Sequence, residues 1–277
     1  MDLFERAERI NEQEIANRKQ RDIEYEAYRS EGRVWGAVPR EWIRRITFPR
    51  VDASIIESFK KLPDLTSSIS DVLDSFGVRA SVSASQLSPL HQGQRVVGQA
   101  LTLRSVPERM TATQGFADRD FIKTSQRDIF PLGEPGDVMV SEHAVTDVSS
   151  LGYMATSMAR VYGFAGMIVE GYVRDVNQLR DSGFPIWSRG VTPISGKFRM
   201  EAIEINGPIT VHDIRVDPGD LIIADDAGIC AIPVDLAAPV LHKVTEMCDV
   251  EGRLESLVEQ RSPLESIRSI FRERYSK

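Results

Sequence analysis

The chain has 277 residues, enough to bury a substantial core, and it carries a net charge of -7. Its basic residues are interspersed with acidic ones, so the composition offers no basic surface for nucleic acid. No apolar run approaches the ~20 residues that a helix needs to cross a bilayer. We therefore expect neither nucleic acid nor a membrane as a partner.

The N-terminal residues favour a cytoplasmic protein, and the cysteines indicate no structural site. Cys230 and Cys248 form no CxxC motif, so neither a zinc cage nor a disulfide framework is expected. The first residues, MDLFERAER, place charges where a secretory signal has its apolar core.

The first part of the chain predicts a helical extension followed by an arm. Residues 1 to about 32 are rich in Glu, Arg, Lys and Gln, which indicates a solvated helix whose thin apolar stripe suits docking on a neighbouring subunit. Pro39 and Pro49 bound an arm whose Trp42, Ile43 and Ile46 need burial, and an oligomer interface is one candidate place. We expect the extension over residues 1–53 and an α/β domain over 54–277.

Alternating helix and strand patterns follow from Ser54 onward. The predicted helices are at 55–62, 67–77, 151–162, 176–182 and about 236–258, and the predicted strands at 95–103, 137–142, 167–173, 203–205, 209–211 and 221–224. Because the later strands are short and joined by tight turns, a mixed-sheet sandwich fits better than a doubly wound parallel sheet.

The apolar run at 163–173 ends in Arg174 and Asp175, which is where an open α/β sheet usually presents its chemistry. Successive strand residues face opposite sides of a sheet, so these two side chains share a ligand only if the backbone turns there. The helix predicted from Val176 makes such a turn plausible. The alternative interpretation is that Asp175 caps that helix and Arg174 is an exposed charge.

Three features point to a bound carboxylic acid. Ser149 to Gly152 precede a helix whose free N–H groups would receive an anion, and Arg174 would pair with a carboxylate or an oxyanion. Asp175 would hold a divalent cation, directly or through water. The scattered histidines lack metal-ligand spacing, and oxygen ligands select Mg²⁺ or Mn²⁺ over Zn²⁺. Together these groups would bind a 2-oxo acid and stabilise an enolate.

The chain resembles the RraA-like family in a series of segments that occur in the family's order. The segments are Ser70-Asp71, 97–102, 135–138, Leu151-Gly152, 163–175, 183–187, 206–208, 216–220 and 224–229. The family includes the 4-hydroxy-4-methyl-2-oxoglutarate and 4-carboxy-4-hydroxy-2-oxoadipate aldolases, associated oxaloacetate decarboxylases, and the regulator of ribonuclease E activity.

The resemblance implies a swivelling β/β/α fold, assembly into a homotrimer or homohexamer, and active sites between subunits. It implies Mg²⁺ or Mn²⁺ at Asp175 and Arg174 on the carboxylate or oxyanion of a small carboxylate substrate. The start of the predicted 151–162 helix would bind the pyruvoyl group. The residues concerned are Gly152, Tyr153, Met154 and Ala155.

Tyr153 stands where the aldolases have an acidic residue that acts through a water. A neutral phenol can donate a hydrogen bond but is a poor base at neutral pH. Glu251 matches an acidic position that the family uses near the metal of a neighbouring subunit, although a solvated helix charge explains it equally well. The family often has Asp at the position of Glu170. Glu170 is expected either to have a structural role or to influence the site.

The segment from Val106 to Pro131 occupies a region that the family usually keeps short. It contains Glu108, Arg109, Thr111, Asp118, Arg119, Asp120 and Lys123. A polar insertion here is expected to act as a lid or to add substrate contacts, or else to be an ordinary surface loop.

The leading hypothesis is a divalent-metal-dependent carbon–carbon lyase, an aldolase or decarboxylase that acts on a small 2-oxo or hydroxy acid through an enolate. Arg174 and Tyr153 are its candidate catalytic residues, and Asp175 and Glu251 its candidate metal ligands. The alternatives are a non-catalytic regulator that binds a ribonuclease or another protein, and a different lyase or hydratase reaction that uses Tyr153 as an acid.

Overall fold

Strands of both directions form one large sheet in the computed structural model, which describes residues 3–118, 123, 126–144 and 147–275. The strands are β1 Ser81–Ser83, β2 Ser88–Pro89, β3 Val96–Pro107, β4 Val138–His143, β5 Ser149–Leu151, β6 Gly166–Val173, β7 Ile186–Val191, β8 Met200–Ile205, β9 Ile209–Val211, β10 Ile214–Val216, β11 Leu221–Ala224 and β12 Gly228–Ile232. The α-helices are α1 Leu3–Ser30, α2 Ala53–Lys60, α3 Thr66–Ser75, α4 Ala112–Ala117, α5 Gln126–Ile129, α6 Tyr153–Val161, α7 Val176–Ser182, α8 Ala237–Glu259 and α9 Leu264–Tyr275.

The sheet has a parallel centre with antiparallel strands around it. Its order is β1-β12-β11-β3-β4-β6-β7-β2, with β5 paired to β6 and β8 paired to β3. The neighbours β3, β4, β6 and β7 run parallel, whereas β11, β12 and β8 pair in the antiparallel sense. The predicted mixed-sheet α/β architecture is therefore confirmed.

Alternation along the strands divides the core into separate clusters. Met167, Val169 and Val173 of β6 belong to a cluster that α6 and α7 cover. Ile168, one residue out of phase, belongs to a second cluster on the opposite face, which the β9–β10 hairpin helps to fill. A third cluster joins β11 and β12 to α2, α3 and α8. Because side chains alternate between the faces, each face of β6 has a different neighbour.

The arm is buried against its own chain. Ile43 and Ile46 are 3% and 1% exposed and share a cluster with Leu101 and Leu103 of β3. The N–H of Arg44 donates to the carbonyl of Ile205 in β8 at 2.9 Å. An oligomer interface is therefore not where these arm residues are buried. Tyr25 and Tyr28 of α1 pack against the same cluster, so the end of the extension also docks on its own domain.

The helix α9, which follows α8, was not predicted from the sequence. Within the described residues, the helices lack the combination of length and apolar character that a bilayer crossing requires.

His143, at the end of β4, makes the stability of the fold dependent on pH. Its Nε2 lies 2.8 Å from the Met200 sulfur, and its Nδ1 is buried without a hydrogen-bond partner in the described part of the chain. Burial lowers the pKa of His143 to about 4. The unfolded chain, with a histidine pKa of about 6.5, therefore takes up this proton first as the pH falls. Folding stability is lost between about pH 6.5 and pH 4.

Between pH 7 and pH 4.5 the unfolding free energy of His143→Gln should fall by about 2 kcal/mol less than that of the wild type. The reason is that the variant no longer takes up a proton at position 143 when it unfolds. Urea unfolding at a series of pH values measures this difference. His242→Gln, at an exposed position of α8, is the control and should follow the wild type. Parallel pH curves for His143→Gln and the wild type would contradict the assignment.

Candidate functional site

The backbone turns sharply between β6 and α7, at Arg174 and Asp175. Asp175 has left-handed dihedral angles, φ 58° and ψ 37°, which Asp tolerates better than most side chains. The Arg174 N–H donates to the carbonyl of Leu151 in β5 at 3.1 Å. The Arg174 Nε then lies 3.7 Å from the Asp175 Oδ2. The turn thus brings two consecutive side chains together, as a shared ligand would require.

Asp175 caps a helix, but not the helix that follows it. Its Oδ2 accepts a hydrogen bond from the backbone N–H of Tyr153, the first residue of α6, at 3.0 Å. A carboxylate at this end of a helix is favoured by the unpaired N–H groups and by the helix dipole. The alternative interpretation, in which the Asp175 side chain caps the helix beginning at Val176, is therefore wrong, because that side chain makes no capping hydrogen bond to α7 and bonds to α6 instead.

This cap changes the predicted binding role of the helix start. The Tyr153 N–H already has an acceptor within the chain. The N–H groups of Met154 and Ala155 remain, since the first turn of a helix provides them with no intrahelical acceptor. The side chain of Tyr153 is half-buried and packs against the hydrophobic cluster beneath α6.

A cavity of about 430 Å³ opens beside the turn. It is lined by Gln126, Arg127, Phe130, Ser149, Ser150, Leu151, Gly152, Met154, Ala155, Met158, Arg174, Ser195 and Lys197. Among these described lining residues the charged ones are Arg127, Arg174 and Lys197, and none is a carboxylate. Three cationic side chains around one concave space favour an anion. The structure brings Gly152, Met154, Ala155 and Arg174 to this cavity, whereas Tyr153 and Asp175 are not among its lining residues.

Comparison with known proteins identifies the family. The sequence model of the RraA-like family, described as Aldolase/RraA, matches residues 66–231. The chain belongs to this family. It is 29% identical over 206 residues to a Halalkalibacterium halodurans protein provisionally named 4-hydroxy-4-methyl-2-oxoglutarate aldolase, a match that covers 74% of this chain and 89% of that protein. It is also 28% identical over 204 residues to protein DlpA of Legionella pneumophila, covering 73% of this chain and 32% of DlpA. The chain therefore spans about a third of DlpA.

Solved structures confirm the RraA-like fold. An uncharacterized protein from Pseudomonas syringae pv. tomato str. DC3000 superimposes with a TM-score of 0.66 at 26% identity, covering 80% of this chain and all (100%) of that one. Streptomyces coelicolor RraAS2, described as an unusual member of the RNase ES inhibitor RraA protein family, has a TM-score of 0.64 at 26% identity, covering 74% of this chain and 98% of its own.

The two predicted metal ligands of this RraA-like chain lie on different elements. Glu251 is on α8, which packs against α2 and α3 over the third cluster, whereas Asp175 lies at the end of β6 beside α6. The described residues contain no group of three or more His, Cys, Asp or Glu side chains that could hold a metal ion. Within the described part of one chain, Asp175 and Glu251 are thus not members of such a group.

Glu170 has a partner of its own. Its carboxylate accepts a hydrogen bond from the Arg189 Nε at 2.6 Å. In β6 it has the phase of Ile168, so it faces the second cluster and not the helix α6. Of the two interpretations offered for Glu170, the structural one agrees with this position.

The insertion contributes a wall of the cavity through Gln126, Arg127 and Phe130, which were not singled out from the sequence. The length and polarity of the insertion were the sequence features that could have pointed to its place at the site. Of the residues named there, Glu108 and Lys123 form an ion pair at 2.6 Å, and Thr111 caps α4. Arg119 and Asp120 lie outside the described residues. Ser195 and Lys197 were also missed, because no local pattern marks the loop after β7 as part of the site.

Gly152 separates the Arg174–Asp175 turn from the start of α6. A Cβ atom there would overlap the Asp175 Oδ2 and would lie 2.9 Å from the Arg174 Cγ. Only glycine permits this approach. The cap and the positions of the Arg174 and Asp175 side chains therefore depend on the absence of a Cβ atom at Gly152.

We expect Gly152→Ala to lower the unfolding free energy by about 1–3 kcal/mol, because overpacking displaces the turn. Gly252→Ala is the matched control: its Cβ would enter open space on α8, and a gain of about 0.5–1 kcal/mol is expected there. Denaturant unfolding of both variants provides the comparison. Equal stability of Gly152→Ala and the wild type would show that the turn is looser than the geometry indicates.

Proposed function

We propose that the protein is a divalent-metal-dependent carbon–carbon lyase that releases an enolate from a small 2-oxo or hydroxy carboxylic acid by aldol cleavage or decarboxylation. The observation that carries the proposal is the convergence of Arg174 and Asp175 on the N-terminus of α6, beside a cavity whose charged lining residues, in the part of the chain that the structure describes, are all cationic. The resemblance to proteins provisionally named aldolases supports the same reaction class.

In this proposal the substrate carboxylate lies against Arg174 and the Met154 and Ala155 N–H groups. The Arg174 guanidinium can donate two parallel hydrogen bonds to a carboxylate or to the oxyanion of the enolate. Gly152 and Tyr153 complete the binding surface through their backbone. Fixed donors that face the developing negative charge lower the barrier to breaking the carbon–carbon bond.

Asp175 has the chemistry of a Mg²⁺ or Mn²⁺ ligand. Its Oδ2 is occupied by the Tyr153 N–H, and the described part of the chain gives its Oδ1 no hydrogen bond. Mg²⁺ commonly binds one or two carboxylates and keeps several waters, so Asp175 together with Glu251 of the partner subunit fits such a site. A bound ion would supply positive charge next to the enolate oxygen.

The proposed assembly comes from the resemblance to the RraA-like family, and a metal site shared by Asp175 and Glu251 of two chains would agree with it. We propose a homotrimer or homohexamer whose active sites lie between subunits, with residues 54–277 as the RraA-like domain and 1–53 as its extension. Tyr153 is proposed as a proton donor, directly or through a water, because a neutral phenol donates a proton more readily than it accepts one.

A regulatory function is the second candidate. It is favoured by the replacement of the aldolases' acidic residue by Tyr153, whose side chain packs against the core. The structural neighbour RraAS2 is described as a member of an RNase inhibitor family. In this alternative the chain would bind a ribonuclease or another protein and would not release pyruvate. A different lyase or hydratase reaction, with Tyr153 as its acid, would also leave pyruvate release absent.

The first test is pyruvate release from 4-hydroxy-4-methyl-2-oxoglutarate and from oxaloacetate, with Mg²⁺ or Mn²⁺ and with EDTA. We expect metal-dependent release. Asp175→Asn keeps an acceptor for the Tyr153 N–H but removes the charge, and it should lower kcat roughly 100-fold. Asp181→Asn, on the exposed side of α7, is the matched control and should retain wild-type activity. Equal activity of Asp175→Asn and the wild type would exclude Asp175 as a metal ligand.

Tyr153→Asp separates the two function classes. If the wild type releases no pyruvate and this variant does, the scaffold is intact but serves another reaction or regulation. If the wild type is active, the acidic residue that the aldolases have in place of Tyr153 is dispensable, and the lyase proposal stands.

Mixing two impaired variants tests the intersubunit site. Asp175→Asn and Glu251→Gln should each have strongly reduced activity alone. After mixing and subunit exchange, sites that combine an intact Asp175 from one chain with an intact Glu251 from another should restore part of the activity. Activity of Glu251→Gln alone at the wild-type level would show that Glu251 is only a solvated helix charge.

A further inference from the structure

Three consecutive residues of α5 connect the cavity to two other parts of the chain. Gln126 donates a side-chain hydrogen bond to the carbonyl of Ser150 in the cavity lining. Arg127 lines the cavity itself. Asp128, 2% exposed, points away from the cavity and contacts the N-terminal arm. The short helix α5 is therefore the wall through which the arm reaches the candidate site.

The contacts on the arm side are specific hydrogen bonds. The Asp128 Oδ1 accepts from the N–H groups of Ala37 at 2.9 Å and Val38 at 3.3 Å. The Arg33 guanidinium donates to the carbonyls of Pro131 at 3.0 Å and Gly133 at 2.9 Å. We call the segment 33–38, joined to 128–133 in this way, the arm clasp. Hydrogen bonds to ionised groups are the stronger ones in proteins, so the clasp holds α5 firmly.

The arm also contacts Arg127, one of the cationic side chains that line the cavity. The guanidinium carbon of Arg127 lies 6.0 Å from the centre of the Trp35 ring, at the outer limit of a cation–π contact. Trp35 is 51% exposed, so its ring is not committed to the core. Its position next to Arg127 limits the directions that the guanidinium can take.

We propose that Arg127 is a specificity-determining residue that binds a second anionic group of the substrate, away from the carboxylate at Arg174, and that the arm clasp positions it. The inference rests on the proposed lyase function. The cavity has the volume of a small-molecule site and carries Arg127 and Arg174 as two separate guanidinium groups, each suited to one carboxylate. Arg127 is therefore expected to distinguish substrates that carry a second carboxylate from those that lack it.

The test compares two substrates that undergo the same cleavage. 4-Hydroxy-4-methyl-2-oxoglutarate has a second carboxylate, and 4-hydroxy-2-oxopentanoate lacks it. For Arg127→Gln we expect KM for the dicarboxylate to rise roughly 10- to 100-fold, with kcat little changed and KM for the monocarboxylate nearly unchanged. Trp35→Ala should shift KM for the dicarboxylate in the same direction but less.

Arg160→Gln is the control, because it removes the same charge from an exposed position of α6 outside the cavity lining. It should leave both KM values unchanged. Equal changes of KM for the two substrates in Arg127→Gln, or no change for either, would overturn the proposal. Thermal unfolding of each variant verifies that the wall has not simply collapsed.

Calorimetric binding separates this inference from the lyase proposal, since it needs no turnover. The probes are 2-oxoglutarate, with two carboxylates, and pyruvate, with one. If the wild type prefers 2-oxoglutarate and Arg127→Gln loses that preference, the second anion subsite stands even where no pyruvate is released. If turnover is present but the preference does not depend on Arg127, the subsite is refuted and the lyase function is retained.

Discussion

The hydrogen bond from the Tyr153 N–H to the Asp175 carboxylate is the contact on which the candidate site depends. It joins the end of β6 to the start of α6, two elements whose side chains also share one hydrophobic cluster. Gly152 makes the approach possible, and the left-handed conformation of Asp175 provides the direction. The Asp175 carboxylate is already held at the helix N-terminus, so it loses little conformational freedom when a cation or a substrate binds. The same bond thus contributes to stability and to preorganisation.

The electrostatics of the cavity differ from those of the whole chain. The chain carries a net charge of -7, yet among the described residues the charged ones that line the cavity are Arg127, Arg174 and Lys197. Clustered charge of one sign in a concave surface concentrates ligands of the opposite sign, even on a protein of unfavourable net charge. Asp175, which contacts Arg174 and the Tyr153 N–H, lies beside this anion site and offers a carboxylate to a cation. An anionic substrate and a divalent ion can then bind side by side without competing for the same groups.

Local patterns predicted the parts of the site that are close in sequence. The apolar run of β6, its end at Arg174 and the helix from Val176 could be inferred, because hydrophobic periodicity depends on residues that are close in sequence. The cap on α6 could not, because it depends on a left-handed turn and on the pairing of β5 with β6. Arg127 and Lys197 were missed for the same reason. Both reach the cavity from loops or short helices whose positions are set by tertiary contacts. The RraA-like resemblance supplied the fold, but it provides no counterpart for an insertion that the family usually keeps short.

The N-terminal arm and the insertion act as one structural unit. Asp128 is buried and its carboxylate takes two arm N–H groups, while Arg33 of the arm satisfies two carbonyls that follow α5. Removing the arm would leave a buried carboxylate unpaired, and shortening the insertion would leave Arg33 and the N–H groups of Ala37 and Val38 without these acceptors. Each segment therefore satisfies polar groups of the other. The wall that the two segments build is the side of the cavity that holds Arg127.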